Sequence, residues 1–372
     1  METPALLLDR ERMAANIRRL HQHVAGLGGR LRPHGKTAKS VAVMDEVLDQ
    51  HCLGLTVSTL HEAEYYFEHG VSDLLYAVGM TVNKLPRVLR LMERGARLTL
   101  LLDSLAQAEQ LAAAAAQARQ QLAVLIEIDC DGHRAGVSAD APELLTIANQ
   151  VHQSPWLELR GLMTHAGGSY GCRDVAAIRA MARQERTAMQ QAARRLSEAG
   201  LPCPVVSLGS TPTAHHVDDL SGITEVRAGV YVFHDLVMAG LGICAIDDIA
   251  LSVLATIIGH QHDKQQLIID AGWMALSRDR GTANQAIDQG YGLVANAAGE
   301  FPDDLLVTVT NQEHGIVTER NGQALDFSRW PIGAQVRILP NHACATAAMF
   351  DCYHVLDGHG GVAARWPRIN GW

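Results

Sequence analysis

The sequence predicts an α/β protein in which a (β/α)8 barrel is followed by a second, β-rich domain. Between residues 30 and 228, eight short apolar runs alternate with helical patterns. This alternation is typical of parallel strands joined by right-handed crossovers, and eight strands favour a closed barrel over an open sheet. After residue 236, short apolar runs separated by Gly, Asn, Asp and Pro turns indicate a mostly β domain.

The elements of the barrel can be assigned in chain order. Residues 9–28 are predicted as a helix with Asp9 as its N-cap and glycines at its end. The barrel strands are then predicted at 30–34, 52–58, 73–78, 97–102, 122–129, 157–164, 203–208 and 223–228. The helices between them are predicted at 38–50, 60–69, 84–94, 104–121, 141–153, 173–199 and 211–219.

The β-rich domain is predicted to consist of two pieces of the chain. Its strands are expected at 3–8, 249–259, 266–270, 304–310, 335–339 and 353–356. Because the strand at 3–8 is expected to pair with the later ones, the barrel would be an insertion. The predicted domains are residues 9–235 for the barrel and residues 1–8 with 236–372 for the β-rich domain.

Composition and charge argue against several functional classes. The chain has 372 residues, 48% hydrophobic and 19% charged, and no apolar run approaches the roughly 18 residues that span a bilayer. The N-terminus lacks a basic region followed by an apolar core, so no secretion signal is expected. Seven scattered cysteines favour a cytoplasmic protein, and a net charge of −9 argues against nucleic acid as a partner.

A lysine just after the first barrel strand is the first candidate for chemistry. Lys36 follows Pro33, which stiffens the end of the strand, and Gly35, which permits a sharp bend. If burial and cationic neighbours lower the pKa of this lysine, its free amine becomes a nucleophile and a base. The segment on its own is also compatible with a solvated lysine in a basic loop.

Polar and glycine residues recur where the other barrel strands end, which is where barrel enzymes carry their active sites. They are Arg134 after strand five, His165 and Tyr170 after strand six, Gly209, Ser210 and Thr211 after strand seven, and Arg227, Gly229 and Tyr231 in or after strand eight. The small residues at 209–213 are a candidate phosphate cradle, although an N-capping turn has the same composition. A lysine, a phosphate cradle, a flat imidazole and arginines together describe a site for pyridoxal 5′-phosphate (PLP).

The β-rich domain carries a candidate metal site. His342 and Cys344 are one residue apart and follow a predicted strand and Pro340. Imidazole and thiolate ligands suit zinc or cobalt better than magnesium, and manganese is a third candidate. A buried thiol beside a turn histidine would have the same spacing, so the motif is weak by itself.

Segments spread over nearly the whole chain resemble one enzyme family. They are RPHGKT (32–37), TVSTLHEAE (56–64), EIDCDGHRAGV (127–137), THAGGSY (164–170), GSTPT (209–213), TEVRAGVYVFHDLVM (224–238), DAGWMALSRDRGT (270–282), NQEHG (311–315) and PNHACAT (340–346). The sequence resembles the fold-type III PLP enzymes, which have alanine-racemase-like barrels. It is most similar to their D-serine dehydratase and D-threonine aldolase group, which adds a metal-bearing β domain.

The resemblance implies a role for each candidate residue of the barrel. Lys36 would form the Schiff base with PLP, and His165 would lie against the ring face; both are catalytic candidates. Arg134 would lie near the ring hydroxyl, and Arg227 would face the pyridine nitrogen. The other cofactor-binding candidates are Gly209, Ser210, Thr211 and Tyr231, expected around the phosphate, together with Tyr170 and Gly229.

The resemblance also implies the reaction. His342 and Cys344 would hold the metal, and the cysteine matches the family's dehydratases, whereas its aldolases tend to carry aspartate there. We therefore expect loss of water and then of ammonia from a β-hydroxy D-amino acid. The preferred candidate substrate is D-threo-3-hydroxyaspartate, and D-serine is the second candidate. Retro-aldol cleavage, racemisation, PLP carriage without catalysis and PLP-free metal hydrolysis stay open as alternatives. By analogy, a homodimer is expected.

Overall fold

The computed structural model describes residues 1–358 and 360–372 and falls into two compact units. The β-rich unit contains Met1–Arg19, Thr37–Val43 and Val230–Asn370, and the barrel unit contains Leu20–Lys36, Met44–Gly229 and Gly371–Trp372. The chain begins with strand β1 (Ala5–Asp9) and continues into helix α1 (Arg10–Gly26).

The barrel unit is built from alternating strands and helices, and the first of these helices begins at Val41 within the β-rich unit. In chain order these are α2 (Val41–Val47), β2 (Leu55–Val57), α3 (Leu60–Glu68), β3 (Asp73–Gly79), α4 (Leu85–Glu93), β4 (Arg97–Leu102), α5 (Leu105–Ala118), β5 (Leu122–Asp129), β6 (Val137–Ser138), α6 (Pro142–Gln153), β7 (Leu157–Thr164), α7 (Val175–Glu198), β8 (Val205–Leu208), α8 (Thr211–His216) and β9 (Glu225–Val226). The strands pair in parallel in the order β2-β3-β4-β5-β7-β8-β9, and β6 pairs with β5. Parallel pairing confirms the interpretation of the alternating pattern.

The first predicted barrel strand, at residues 30–34, is present only as isolated bridges. Leu31 bridges Cys52 on one side and Val226 on the other, both in parallel, and so joins the two ends of the sheet. Pro33 has no N–H group to donate, which limits regular pairing here. The ring is therefore closed as predicted, although its first strand is shorter than expected.

Three of the barrel helices begin at side-chain caps that the sequence supplies. Thr59, Ser104 and Asp174 accept backbone N–H groups in the first turns of α3, α5 and α7. Neighbouring strands contribute one buried apolar layer, which consists of Leu75, Leu101, Leu125 and Met163. Within the part of the chain that the structure describes, no helix is both long enough and apolar enough to cross a membrane.

The β-rich unit is an antiparallel barrel with additional strands beside it. Its later elements are α9 (Leu236–Gly240), β10 (Leu251–Gln261), β11 (Gln266–Ile269), α10 (Trp273–Leu276), β12 (Leu293–Asn296), β13 (Leu305–Thr310), β14 (Gly315–Glu319), β15 (Gln335–Leu339), α11 (Ala343–Ala347), β16 (Cys352–Leu356) and β17 (Val362–Pro367). The strand order is β11-β14-β13-β12-β15-β10-β1-β16-β17, and β10 also pairs with β11. The pairing of β10 with β11 closes a ring of six strands, β10, β11, β14, β13, β12 and β15. Outside this ring, β1 pairs with β10 on one side and with β16 on the other.

The sequence patterns do not predict strands β12, β14 and β17. β12 and β14 are short: β12 directly follows Gly292, and β14 begins at Gly315. β17 consists of exposed and half-buried residues, and its apolar start, residues 362–364, is only three residues long. Short 3-10 helices lie at Val82–Lys84, Gly167–Gly171, Val230–Val232, Ile246–Asp248 and His262–Lys264.

Candidate active site

The loop after the first barrel segment leaves the side chain of Lys36 exposed. The preceding Gly35 is buried against Tyr66, whose hydroxyl donates a 3.0 Å hydrogen bond to the Gly35 carbonyl. A Cβ atom at Gly35 would lie 2.6 Å from the ring of Tyr66. Glycine is therefore required for this backbone path, which sets the position of Lys36.

His34 holds the backbone of Lys36. Its Nδ1 accepts the N–H of Lys36 at 3.4 Å, and its Nε2 lies 3.3 Å from the hydroxyl of Ser58. Burial, together with the positive charges of Lys36 and Arg227, lowers the pKa of His34 well below its ordinary value. The neutral ring can therefore keep Nδ1 as an acceptor while Nε2 donates to Ser58.

Arg227 lies inside the barrel in a continuous polar network. Its guanidinium donates to the hydroxyl of Ser207 at 2.5 Å and to the carbonyl oxygen of Thr164. Ser207 in turn donates to Glu225 at 2.6 Å, and the second carboxylate oxygen of Glu225 accepts from Arg32 at 2.8 Å. Because every bond is buried or nearly so, the network restrains the guanidinium strongly.

His165 stands at the end of β7 as a neutral ring. Its Nδ1 donates a 2.9 Å hydrogen bond to the carbonyl of Gly209, which leaves Nε2 as the unprotonated nitrogen. Burial lowers the pKa of His165 to about 3, and the positive charges of Lys36 and Arg134 act in the same direction. The ring of Tyr170 lies 6.2 Å away, centroid to centroid.

The turn after β8 is shaped by a glycine and contains an unsatisfied hydroxyl. Gly209 has φ of +133°, and a Cβ atom there would lie 2.2 Å from the Arg227 carbonyl oxygen. The Ser210 hydroxyl is committed to the turn, since it accepts the N–H of Thr213 and lies 2.8 Å from the Ser169 hydroxyl. The buried hydroxyl of Thr211 makes no hydrogen bond to any described residue. A ligand that bonded to it would remove a cost of about 1–3 kcal/mol.

The remaining cofactor-binding candidates differ in exposure. Arg134 is half exposed, and its guanidinium donates a 3.4 Å hydrogen bond to Glu127, whose pKa is raised by burial. Gly229 is the last residue of the barrel unit before the chain enters the β-rich unit. Tyr231 follows two residues later and is fully buried.

In the β-rich unit, His342 is aligned by a carboxylate. Its Nδ1 lies 2.7 Å from Asp279 Oδ2, and both side chains are more than a third exposed, at 41% and 35%. The hydrogen bond from His342 holds the pKa of Asp279 below its ordinary value. A histidine that donates one nitrogen to a carboxylate presents the other in a fixed direction, which is the usual arrangement of metal-bound histidines.

The backbone of the His342–Cys344 segment is held by a second, buried carboxylate. Asp235 accepts the N–H of Ala343 at 2.9 Å, and burial raises the pKa of this carboxyl. The thiol of Cys344 donates to the hydroxyl of Thr37 at 3.2 Å. The two candidate ligands are therefore positioned by independent groups on either side of Ala343.

The comparisons with known proteins match the two halves of the chain separately. The family model described as alanine racemase, N-terminal domain, matches residues 8–236, and the putative serine dehydratase domain matches residues 250–356. The chain belongs to the alanine-racemase-like family of PLP enzymes. Its second half places it in the D-serine dehydratase group of that family.

Individual members of this family are similar over their whole length. D-threo-3-hydroxyaspartate dehydratase from Delftia sp. (strain HT23) is 51% identical, over 100% of this chain and 98% of its own. D-serine dehydratase from Dictyostelium discoideum is 30% identical over the same shares. The solved Delftia enzyme is 50% identical with a TM-score of 0.97, over 100% of this chain and 98% of that one. A cysteine-to-alanine variant of that enzyme, solved in a metal-free form, gives the same TM-score of 0.97 over the same shares.

The residues present suit the groups that this family employs. The unsatisfied Thr211 hydroxyl beside the Gly209 turn suits a phosphate, and the exposed amine of Lys36 suits an aldehyde. The imidazole of His342 and the thiol of Cys344 are donors suited to a borderline-soft cation. The predicted family and fold class are confirmed.

Sequence reasoning missed the residues that hold these groups in place. His34, Asp235 and Asp279 all lie inside segments that resemble the family, which is the only signal the sequence offers for them. A single sequence does not show which carboxylate faces a ligand, because Asp279 and His342 are 63 residues apart.

Proposed function

We propose that this enzyme is a PLP- and metal-dependent dehydratase that converts D-threo-3-hydroxyaspartate to oxaloacetate and ammonia. D-Serine, which would give pyruvate and ammonia, is the second expected substrate. The observation that carries the proposal is that one chain combines an exposed lysine after the first barrel segment with a carboxylate-aligned His–Cys pair. The 51% identical Delftia dehydratase supports the choice of substrate.

The barrel residues would hold PLP at the ends of the strands. We assign its phosphate to the turn of Gly209, Ser210 and Thr211, together with Gly229 and Tyr231. The ring would lie against His165 and Tyr170, with Arg134 near its hydroxyl and Arg227 at the pyridine nitrogen. Bound PLP supplies an electron sink for the charge left when the α-proton is removed.

Lys36 has two tasks in this proposal. Its amine would hold the cofactor through the aldehyde group, and Nζ, once free, would take up the α-proton of the substrate. His34 keeps the Lys36 backbone in place without adding a charge, since its pKa is far below neutrality. His165 likewise stays neutral, so it can pack against a ring without repelling the nearby cations.

Arg227 determines where further help is needed. A guanidinium keeps its proton near neutral pH, so it does not protonate the pyridine nitrogen. A weaker electron sink raises the barrier to removal of the α-proton, so assistance to the departing β-hydroxyl would have to offset it. His342 and Cys344 would hold a divalent cation, for which zinc, cobalt and manganese are candidates, and this cation would supply a Lewis acid that favours loss of hydroxide.

The covalent chain supports assigning the lysine and the ligand pair to one reaction. Thr37, whose hydroxyl accepts from the Cys344 thiol, is the next residue after Lys36. The Cα atoms of consecutive residues are about 3.8 Å apart. Two consecutive residues therefore carry the candidate Schiff-base amine and a hydrogen-bond partner of Cys344, which supports assigning both to one reaction.

Product analysis tests the proposal directly. The purified protein, supplied with PLP and metal, is incubated with D-threo-3-hydroxyaspartate, D-serine and D-threonine. Ammonia and a 2-oxo acid in equal amounts are expected from the first and, more slowly, from the second. Glycine and an aldehyde would instead identify an aldolase and contradict the proposal.

Two further properties are proposed on the family relationship. We expect a homodimer, which sedimentation equilibrium of the purified protein tests. All seven cysteines lie within the described residues and none is in a disulfide, which supports a reducing, cytoplasmic location. Fractionation of cells producing the protein tests the location.

A further inference from the structure

One buried carboxylate of the barrel is not used by the proposed reaction. Glu185 lies on α7 and is 0% exposed. The other buried residues of that helix are apolar: Ile178, Ala182, Met189, Ala192 and Leu196. Glu185 is thus the exception on an apolar stripe, at a position where a carboxylate is costly unless it is bonded.

A single oxygen of Glu185 connects two loops. Oε1 accepts the backbone N–H of Ala166 at 3.0 Å and that of Gly209, also at 3.0 Å. Ala166 directly follows His165 in the loop after β7, and Gly209 begins the turn after β8. The carboxylate therefore bonds to the backbone of both segments that carry candidate cofactor contacts, the one at His165 and the one at Gly209.

The two loops are also bonded to each other. The carbonyl of Gly209 accepts from His165 Nδ1 at 2.9 Å, so the same peptide segment binds both the carboxylate and the imidazole. The Glu185 bonds and this bond form a closed set that fixes the distance between the His165 ring and the Gly209 turn. Losing the carboxylate would free two N–H groups at once.

The remaining oxygen of Glu185 adds a cost to the burial of this carboxyl. Oε2 makes no hydrogen bond to any residue that the structure describes. Burial raises the pKa of Glu185, and replacing an incompletely bonded buried carboxyl by an apolar side chain is often neutral or stabilising. The two N–H bonds, and so the geometry of the loops, are what the carboxylate provides.

We propose that Glu185 is a positioning residue that holds the His165 ring and the Gly209–Thr211 turn in the arrangement that receives PLP. It acts through these two loops and touches neither cofactor nor substrate. The inference rests on the PLP site of the proposed function, and it adds a residue that determines cofactor affinity.

The test compares PLP binding by Glu185→Met, Glu185→Gln and the wild type. Glu198→Gln, at the exposed end of the same helix, is the matched control. The cofactor is removed from each full-length protein, PLP is titrated back, and the dissociation constant is read from visible absorbance and circular dichroism. The melting temperature of each cofactor-free protein is measured in parallel.

The expected results separate positioning from a structural role. Glu185→Met should weaken PLP binding about 10- to 100-fold, the range typical of residues that orient ligands indirectly. It should also change the circular dichroism of the bound cofactor, with a melting temperature close to that of the wild type. Glu185→Gln keeps an acceptor oxygen, so its dissociation constant should stay within about fivefold.

Several results would overturn the inference. Wild-type affinity and circular dichroism in Glu185→Met would do so, as would equal losses in both variants that parallel a lower melting temperature. If Glu185→Met does not fold, Glu185→Asp, whose shorter side chain cannot span both loops, replaces it with the same expectation. PLP binding that depends on Glu185 in an enzyme that releases glycine would leave this inference intact and refute only the proposed reaction.

Discussion

The barrel end and the His342–Cys344 segment hold their functional groups in different ways. Arg227 is 4% exposed and bonded through a buried network, whereas His342 and Asp279 are 41% and 35% exposed. Buried, satisfied networks resist change, while an exposed ion pair is weakened by solvent and salt. If these regions bind PLP and metal as proposed, the geometry of the cofactor site should be the rigid property of this enzyme and metal affinity the adjustable one.

The two regions also differ in charge. The barrel end gathers Lys36, Arg134 and Arg227, which suits an anionic cofactor and substrate carboxylates. The ligand segment is bracketed by the carboxylates of Asp235 and Asp279, which suits a cation. Variants at the barrel end should therefore lose PLP and keep the metal, and variants at the His342–Cys344 segment should lose the metal and keep PLP.

The largest effect is expected at the barrel. In the proposed mechanism Lys36 is both the cofactor-binding amine and the base, so turnover of Lys36→Ala should fall by at least about 10³-fold. The yellow colour of the bound cofactor should disappear as well, as absorbance spectra would show. Lys264→Ala, in an exposed turn of the β-rich unit, is the control. A Lys36→Ala protein with an unchanged spectrum would remove Lys36 from its role.

Substitution of either candidate metal ligand in the His342–Cys344 segment should remove the metal without removing PLP. Cys344→Ala or His342→Ala should reduce turnover about 10²- to 10³-fold, because a Lewis acid contributes several kcal/mol. PLP content should remain at the wild-type level, since no barrel residue changes. Elemental analysis and absorbance measure the two quantities, with Cys203→Ala as control. Normal metal content in either ligand variant would contradict the assignment.

A smaller effect is expected at the carboxylate behind His342. Asp279→Ala should weaken metal binding about 10- to 100-fold, and Asp279→Asn should weaken it less because an acceptor oxygen remains. Excess metal should restore turnover in both. Competition with a chelator measures the affinity, and Asp304→Ala, in a surface ion pair with Arg320, is the control. An Asp279→Ala affinity equal to that of the wild type would show that His342 needs no alignment.

The smallest effect is a contribution to acid sensitivity. The pKa of His165 is about 3 in the folded cofactor-free protein and about 6.5 when unfolded, so the unfolded chain alone takes up a proton between these values. The contribution of the buried, neutral His165 to the free energy of unfolding is therefore complete above pH 6.5. As pH falls below that value, the contribution decreases by at most about 1.4 kcal/mol per pH unit. His165→Phe should lose stability less steeply than the wild type in denaturant titrations from pH 7 to 5. His152→Phe, at an exposed histidine, is the control. If the free energy of unfolding of His165→Phe fell with pH as steeply as that of the wild type, burial of His165 would not be a cause of the acid sensitivity.

How far the sequence predicts this molecule depends on the range of each interaction. The barrel and the positions of Lys36, His165 and Gly209 follow from strand order alone, because residues after parallel strands share one end of a barrel. The closed ring of the β-rich unit was not predicted, because two of its strands, β12 and β14, lack long apolar runs.

The supporting carboxylates could not be predicted for a different reason. Glu185 lies on a helix whose pattern shows an apolar face but not which polar residue enters it. Asp279 meets His342 only after the strands between them have paired. Both contacts depend on tertiary packing, which local patterns do not record.

The central claim is that the barrel lysine and the metal pair act in one elimination, and metal depletion tests it most directly. Protein that retains its PLP is chelated exhaustively and supplied with D-threo-3-hydroxyaspartate, and ammonia release is followed before and after metal is restored. The account predicts that ammonia and oxaloacetate formation stop on chelation and return with zinc, cobalt or manganese. Undiminished ammonia release from metal-free, PLP-loaded protein would contradict it.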